Sequence, residues 1–476
     1  MPKEIIVAIE LGSSKITGIA GKKNLDGSTS ILAVVEEDAT SCIRKGVIYN
    51  IDKTVLALSS IVKRLEKQLK NKISQVYVGV GGQSIRSIRN VIVKDLDEDT
   101  KISKDMIDEL MDANRSMTYP EQEILDAVTQ EYKVDSQYQI EPVGIQCRRL
   151  EGNFLNILWR KTFYRNLNKC FENANIPIAE MYLAPLAMAD AVLTEAEKRS
   201  GCMLVDLGAD TTTVSIYYKN ILRHLAVIPL GSANITKDLE SLVIEHDDAE
   251  AMKLKYASAY TDDSDIDPTN MMKVNSEREI SSRDFIETVE GRMQEIVENA
   301  WYQVPNDYLD KINGGIVLTG GGANIRNVEK AFRHHTNIDK IRVANFVLPA
   351  INANQHEITA RDGRMNTILA LLIKGDMNCS GGELTSDLFE VGDEKDPVMQ
   401  GTPHPTSGTG KVQTEAEKQQ AEEEARRKKE EEERRIEEEE RRQREAEEEK
   451  RRKNSWFNKI LRGIKTFGEN MIKEEE

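Results

Sequence analysis

Two short segments of this chain join an acid to a glycine turn and then to hydroxyl-bearing residues. They are Glu10-Leu11-Gly12-Ser13-Ser14-Lys15 and Asp206-Leu207-Gly208-Ala209-Asp210-Thr211-Thr212. A glycine turn presents backbone N–H groups and lets the chain approach an anion with no Cβ in the way, which suits phosphate. Glu10 and Asp206 supply hard oxygen ligands of the kind Mg²⁺ takes alongside water and phosphate. Ser13, Ser14, Thr211 and Thr212 are hydroxyl donors, and Lys15 is a point charge suited to phosphate. A third turn, Gly320-Gly321-Gly322-Ala323-Asn324, has the backbone openness that a purine ring needs. One such turn alone is an ordinary tight connection. The repetition, with an acid at the same offset both times, favours a nucleotide pocket between duplicated domains. The plainer reading, in which Glu10 and Asp206 only cap their turns, stays open at this point.

These turns must be carried by strands. Ile5-Ile6-Val7-Ala8-Ile9 leads into the first and Ile16-Thr17-Gly18-Ile19-Ala20 leaves it; Met203-Leu204-Val205 and Val214-Ser215-Ile216 do the same for the second. Ile316-Val317-Leu318-Thr319 delivers the third, before a helical pattern through Val328 and Phe332. From Ile5 to about Cys379, β-branched runs alternate with helical periodicity, the mark of an α/β protein. Residues 380–412 are rich in Gly, Pro, Ser, Thr and Asp and read as a flexible linker.

The chain has 476 residues, a formal net charge of −16 and 31% charged residues. Residues 415–453 hold 17 Glu and 14 Lys or Arg, and without them the charged share falls to about 26%, ordinary for globular protein. The length predicts two to four domains. Net acidity without a basic stripe argues against nucleic acid as a partner. Cys42, Cys147, Cys170, Cys202 and Cys379 are widely spaced, which fits reduced core thiols. No secretory signal and no membrane-spanning run is expected.

Beyond residue 412 the chain changes twice. In residues 413–453, Glu422 and Arg426, Glu430 and Arg434, and Glu437 and Arg441 are among the pairs at i,i+4 in the favoured order. The stretch reads as a solvated helix about 60 Å long, or as a disordered polyampholyte, and in either form as a spacer. In residues 454–476, Trp456, Phe457, Ile460, Leu461, Ile464, Phe467 and Met471 recur at helical spacing, with Lys459, Arg462 and Lys465 on or beside the polar face. That is the pattern of a helix lying in an anionic lipid surface. Docking on the protein's own body is the alternative, and the long spacer argues against it.

The three glycine turns, in this order, resemble those of the actin, Hsp70 and sugar-kinase superfamily. Within it the chain is most similar to the FtsA family of bacterial cell-division proteins. The similarity covers residues 5 to about 379. It includes Ile228-Pro229-Leu230-Gly231-Ser232, Ala249-Glu250-Ala251-Met252-Lys253, and an insert near 84–162 with Gln130-Glu131-Tyr132 and Pro142-Val143-Gly144. The resemblance implies an actin-like (ribonuclease H-like) α/β fold of duplicated domains around a nucleotide cleft. Residues 1–83, 163–198 and about 355–379 would form one subdomain, carrying the insert at 84–162. Residues 199–230 with 315–354, and 231–314, would form two more.

The resemblance further implies ATP and Mg²⁺ in the cleft. Gly12, Ser13, Ser14, Lys15, Gly208, Thr211 and Thr212 would lie at the phosphates, Glu250 and Lys253 near the ribose and base, and Gly320, Gly321 and Gly322 against adenine. On the residues alone, Glu250 and Lys253 are an i,i+3 pair that reads as a solvated face. The implied role is an adaptor at the cytoplasmic face of the bacterial membrane. It would self-associate into filaments along the insert, bind anionic lipid, hold the FtsZ tail near Arg292 and Glu295, and engage other division proteins. Departures bear on activity: Glu10 replaces the family's usual Asp, Ala209-Asp210 replaces further glycine, and Thr213 stands where actin has its hydrolytic histidine. No catalytic residue is assigned and at most weak ATP turnover is expected. A sugar-type kinase is the alternative, but it lacks a candidate base for the acceptor hydroxyl.

Overall fold

The computed structural model describes residues 4–383 apart from 263, 265, 268 and 277. The charged stretch and the terminal apolar stripe lie outside the described residues.

Strand Ile6–Leu11 is buried on both faces through Ile9, as its unbroken apolar run requires. It pairs antiparallel with Lys15–Lys23 and parallel with Val76–Val80. The full sheet runs Ile178–Leu183, Val76–Val80, Ile6–Leu11, Lys15–Lys23, Thr29–Asp38, Ile351–Asn352. Helix Ile51–Leu69 packs on it through Thr54, Leu58, Ile61 and Leu65. Its start is fixed by the Asn50 side chain, which accepts from the Lys53 N–H at 3.0 Å. A Cβ at Gly18 would stand 2.3 Å from Ile61 Cγ2, so glycine is what lets this helix settle so close.

The second half repeats the scheme. Cys202–Leu207 pairs antiparallel with Thr212–Tyr218 and parallel with Gly315–Thr319, and Ile221–Ile228 follows on the far side of the hairpin. Each half therefore has a central strand flanked by a parallel neighbour and by its own hairpin. The second core gathers Val205, Leu207, Phe285, Val289, Leu318 and Phe332, among others.

Between the halves in sequence lies an insert of three long strands, Arg86–Lys101, Gln122–Val134 and Gln146–Arg160, with helix Lys104–Arg115. It has its own small core around Leu110, Leu150 and Phe154. Arg86 also pairs with Ala226, so the insert and the second half form one nine-stranded sheet. The buried Arg223 guanidinium reinforces that seam, reaching both Glu131 carboxylate oxygens at 2.7 Å.

Residues 380–383 do not open the linker expected over 380–412, whose remaining positions lie outside the described residues. Ser380–Glu383 is a strand paired with Asn71–Ile73, and the Ser74 N–H donates to the Cys379 carbonyl at 2.9 Å. Its glycines read as linker because pairing with a strand some 300 residues earlier leaves no local signal. All five cysteines are buried and unbridged. Among the described residues no helix is long and apolar enough to cross a membrane.

Candidate functional site

The two acidic hairpins are built alike. A Cβ at Gly12 would lie 2.7 Å from the Lys15 carbonyl oxygen, and one at Gly208 would lie 2.8 Å from that of Thr211. The Gly208 N–H donates to that Thr211 oxygen at 2.9 Å. Each Leu-Gly step thus turns so sharply that only glycine fits, and the acid is left at the strand end just before the turn.

Glu10 and Asp206 meet in the same space. The Glu10 carboxyl is pushed up to about 8, by burial first and by the Asp206 carboxylate second, with Lys15 and the Thr367 hydroxyl opposing the rise. Asp206 is pushed up to about 6 by burial. Two acids so placed repel each other when both are ionised, and a hard divalent cation is the ligand that relieves them. The third turn closes on the same point. Gly320 has φ +85°, and a Cβ there would stand 2.3 Å from Asp206 Oδ1. A Cβ at Gly322 would be 3.0 Å from the Leu207 carbonyl, while Gly321 lies against the Arg364 side chain.

The hydroxyls divide. Ser13 Oγ accepts from the Gly46 N–H at 2.8 Å, which leaves its own O–H free to donate. Ser14 is exposed and Thr211 half-buried at its turn. Thr212 corrects the sequence reading: it is fully buried and its hydroxyl donates to the Leu230 carbonyl at 2.9 Å, turned away from the cleft. Strand alternation is the reason, since Thr211 and Thr213 share one face and Thr212 the other. Lys15 also differs from expectation. Its ammonium is paired with Glu36, a diagonal neighbour across the Lys15–Lys23 and Thr29–Asp38 strands, where Glu36 faces Thr17.

Glu250 and Lys253 do not form a solvated face. Lys253 is 7% exposed, and its ammonium donates to Glu250 at 2.7 Å, Thr236 Oγ1 at 2.9 Å and the Ser232 carbonyl at 3.3 Å. Ser232 opens the helix Ser232–Glu240, whose first N–H groups donate to the Gly208 and Ala209 carbonyls at 3.0 and 2.8 Å. The pair therefore braces the second hairpin through that helix. Arg292 and Glu295 lie apart from this cleft. Arg292 grips both carboxylate oxygens of Asp238 and contacts Glu295, so its charge is met within the chain.

Sequence reasoning missed Thr367, which reaches Glu10 from the first turn of helix Asn366–Lys374. It also missed the turn Lys45–Gly46, whose signal was a two-residue gap between short apolar strands. A cavity of about 900 Å³ lies elsewhere, between insert and first half, lined by Ile124, Leu125, Tyr164, Phe171, Ile178 and Met181.

Comparison with known proteins bears on this geometry. Residues 203–362 match the family model described as "Cell division protein FtsA", and residues 82–158 match the "SHS2 domain inserted in FTSA". A "Cell division protein FtsA" of Porphyromonas gingivalis is 34% identical over 336 residues, covering 69% of this chain and 70% of the relative. The chain belongs to the FtsA family. The protein of that name from Neisseria meningitidis is 32% identical over 66% of this chain and 78% of its own length, and that of Bacillus subtilis 30% over 68% and 75%. A solved structure, the "PilM-PilN type IV pilus biogenesis complex", superposes with TM-score 0.53 at 13% identity, over 78% of this chain and 98% of that one. The duplicated halves with their inserted FtsA-type domain are thus an actin-like fold.

Proposed function

We propose that this FtsA-family chain binds ATP with Mg²⁺ between its two hairpins, polymerises at the cytoplasmic face of the cell membrane and ties the FtsZ ring to it. In this reading it also helps recruit later division proteins. The observation that carries the nucleotide half is the convergence of three glycine turns on Glu10 and Asp206. In that reading the two carboxylates hold the hydrated cation, which neutralises phosphate charge. Amides of the Gly12 and Gly208 turns, with Ser13, Ser14 and Thr211, hold the phosphates, and Gly320–Gly322 accommodates adenine. Lys253 and Glu250 act from behind the second hairpin. Thr213 offers no base for water, so nucleotide serves as an assembly ligand and turnover is slow.

For the assembly half, Val91, Val93, Tyr138, Ile140 and Val143 are each exposed on the insert, apolar side chains that favour contact with another protomer. The lipid half rests on the sequence of residues 454–476. FtsZ tail docking near Arg292 and Glu295 is part of the same reading, with Glu295 the more exposed of the two. Sedimentation with anionic vesicles and Mg²⁺-ATP tests the whole. The full chain is expected to pellet, to form filaments on the lipid surface and to carry FtsZ down with it. Failure to pellet with vesicles overturns the adaptor reading.

A further inference from the structure

The short strands Ile43–Arg44 and Val47–Ile48 are joined by the two-residue turn Lys45–Gly46, with φ of 50° and 71°. Positive φ at both positions is the I′ hairpin geometry. This turn touches both acidic hairpins through adjacent amides. The Gly46 N–H donates to Ser13 Oγ at 2.8 Å, and the Lys45 N–H donates to Asp210 Oδ2 at 3.0 Å. The first bond lies within one half; the second crosses to the other.

Both sides of the crossing are backed. Behind the turn, the Lys45 carbonyl accepts from the Gln83 N–H at 2.8 Å, and a Cβ at Gly46 would stand 2.4 Å from Gly82 Cα. Behind Asp210, the Ala209 carbonyl accepts from the Ala233 N–H at 2.8 Å, and a Cβ at Gly231 would meet that same carbonyl at 2.3 Å. The turn cannot retreat from the first half, nor Asp210 from the second, without breaking backbone packing. When the hairpins part, the bond that must break is the one from Lys45 to Asp210.

We propose that Asp210 and the Lys45–Gly46 turn form a latch across the cleft mouth that holds the hairpins together over a bound nucleoside triphosphate. Asp210 is then a positioning residue: it governs how long nucleotide stays, more than how fast it arrives. The latch rests on the nucleotide reading above and deepens it. Its acceptor is a carboxylate on a backbone amide, a charge-assisted bond, so its loss acts on the release rate.

The test is stopped-flow release of a fluorescent ATP analogue from the full chain with Mg²⁺, chased with excess ATP. Asp210→Ala is expected to speed release about ten-fold, with the association rate changed less than about three-fold. Asp210→Asn keeps an oxygen that accepts from the Lys45 N–H and is expected to release within about three-fold of the unaltered chain. In hydrogen exchange, ATP is expected to protect the Lys45 and Gly46 amides in the unaltered chain and to leave the Lys45 amide unprotected in Asp210→Ala. Release from Asp210→Ala at the unaltered rate, or equal loss in the Asn and Ala variants, overturns the latch. If the unaltered chain binds no analogue, the nucleotide reading falls and takes the latch with it.

Discussion

Asp206 Oδ1 occupies the space that a Cβ at Gly320 would need, 2.3 Å from its ideal position. The acid of the second hairpin and the first glycine of the third turn are thus a single fitted unit, although 114 residues separate them in the chain. It explains why the third turn starts with glycine in a left-handed conformation that other residues rarely adopt.

Replacing Gly320 with Ala must move either the Asp206 carboxylate or the turn. The expected loss is about 1 to 3 kcal/mol of stability from backbone strain, together with weakened Mg²⁺-ATP binding. Thermal melting and titration calorimetry read the two effects. An unaltered melting temperature would refute the fit.

The raised Glu10 carboxyl makes a signed pH prediction. Its value rises from 4.5 to about 8 on folding, so the proton it keeps stabilises the native state at low pH. That contribution is lost as pH climbs from about 4.5 towards 8, because the unfolded chain has already released its proton. Glu10→Gln, which stays neutral, is expected to match the unaltered, nucleotide-free protein near pH 5 and to melt progressively higher than it towards pH 8. A constant gap across that range would show that Glu10 titrates normally.

Arg223 is 3% exposed and reaches Glu131 with two bonds, where the insert joins the second half. Truncation to Ala strands the partly buried Glu131 carboxylate, for an expected cost of about 2 to 3 kcal/mol in urea unfolding, below the fully buried range. Arg223→Lys keeps the charge but loses the fork, and should fall between. A loss under about 0.5 kcal/mol would mean that the seam does not depend on this pair.

At the tail, changing Trp456 and Phe457 to Glu places charge on the apolar stripe. The protein should then move from the pellet to the supernatant in sedimentation with anionic vesicles. Unchanged pelleting would defeat the anchor.

The cleft makes a paired prediction. Gly12→Val forces a side chain onto the Lys15 carbonyl, where even a Cβ would stand 2.7 Å away, and should abolish ATP binding in calorimetry. In the unaltered chain, phosphate release should stay slow with lipid and FtsZ present, since Thr213 carries no general base. Rapid steady turnover would reveal a catalytic group elsewhere.

What was legible in the sequence is local. The Leu-Gly turns, the buried runs before them and the repeat of acid and turn follow from residues a few positions apart, because tight turns and buried strands are set by their own side chains. Long-range pairing decided the rest. Thr212 faces inward because the hairpin register puts it there, and Lys15 finds Glu36 because two strands align diagonally. Thr367 arrives at Glu10 from a helix near the other end of the described chain, and Ser380–Glu383 becomes a strand only because Asn71–Ile73 offers it an edge. The contact between Asp210 and Lys45 has no trace in either segment alone, since a single carboxylate meeting a single backbone amide exists only once both halves have closed on each other.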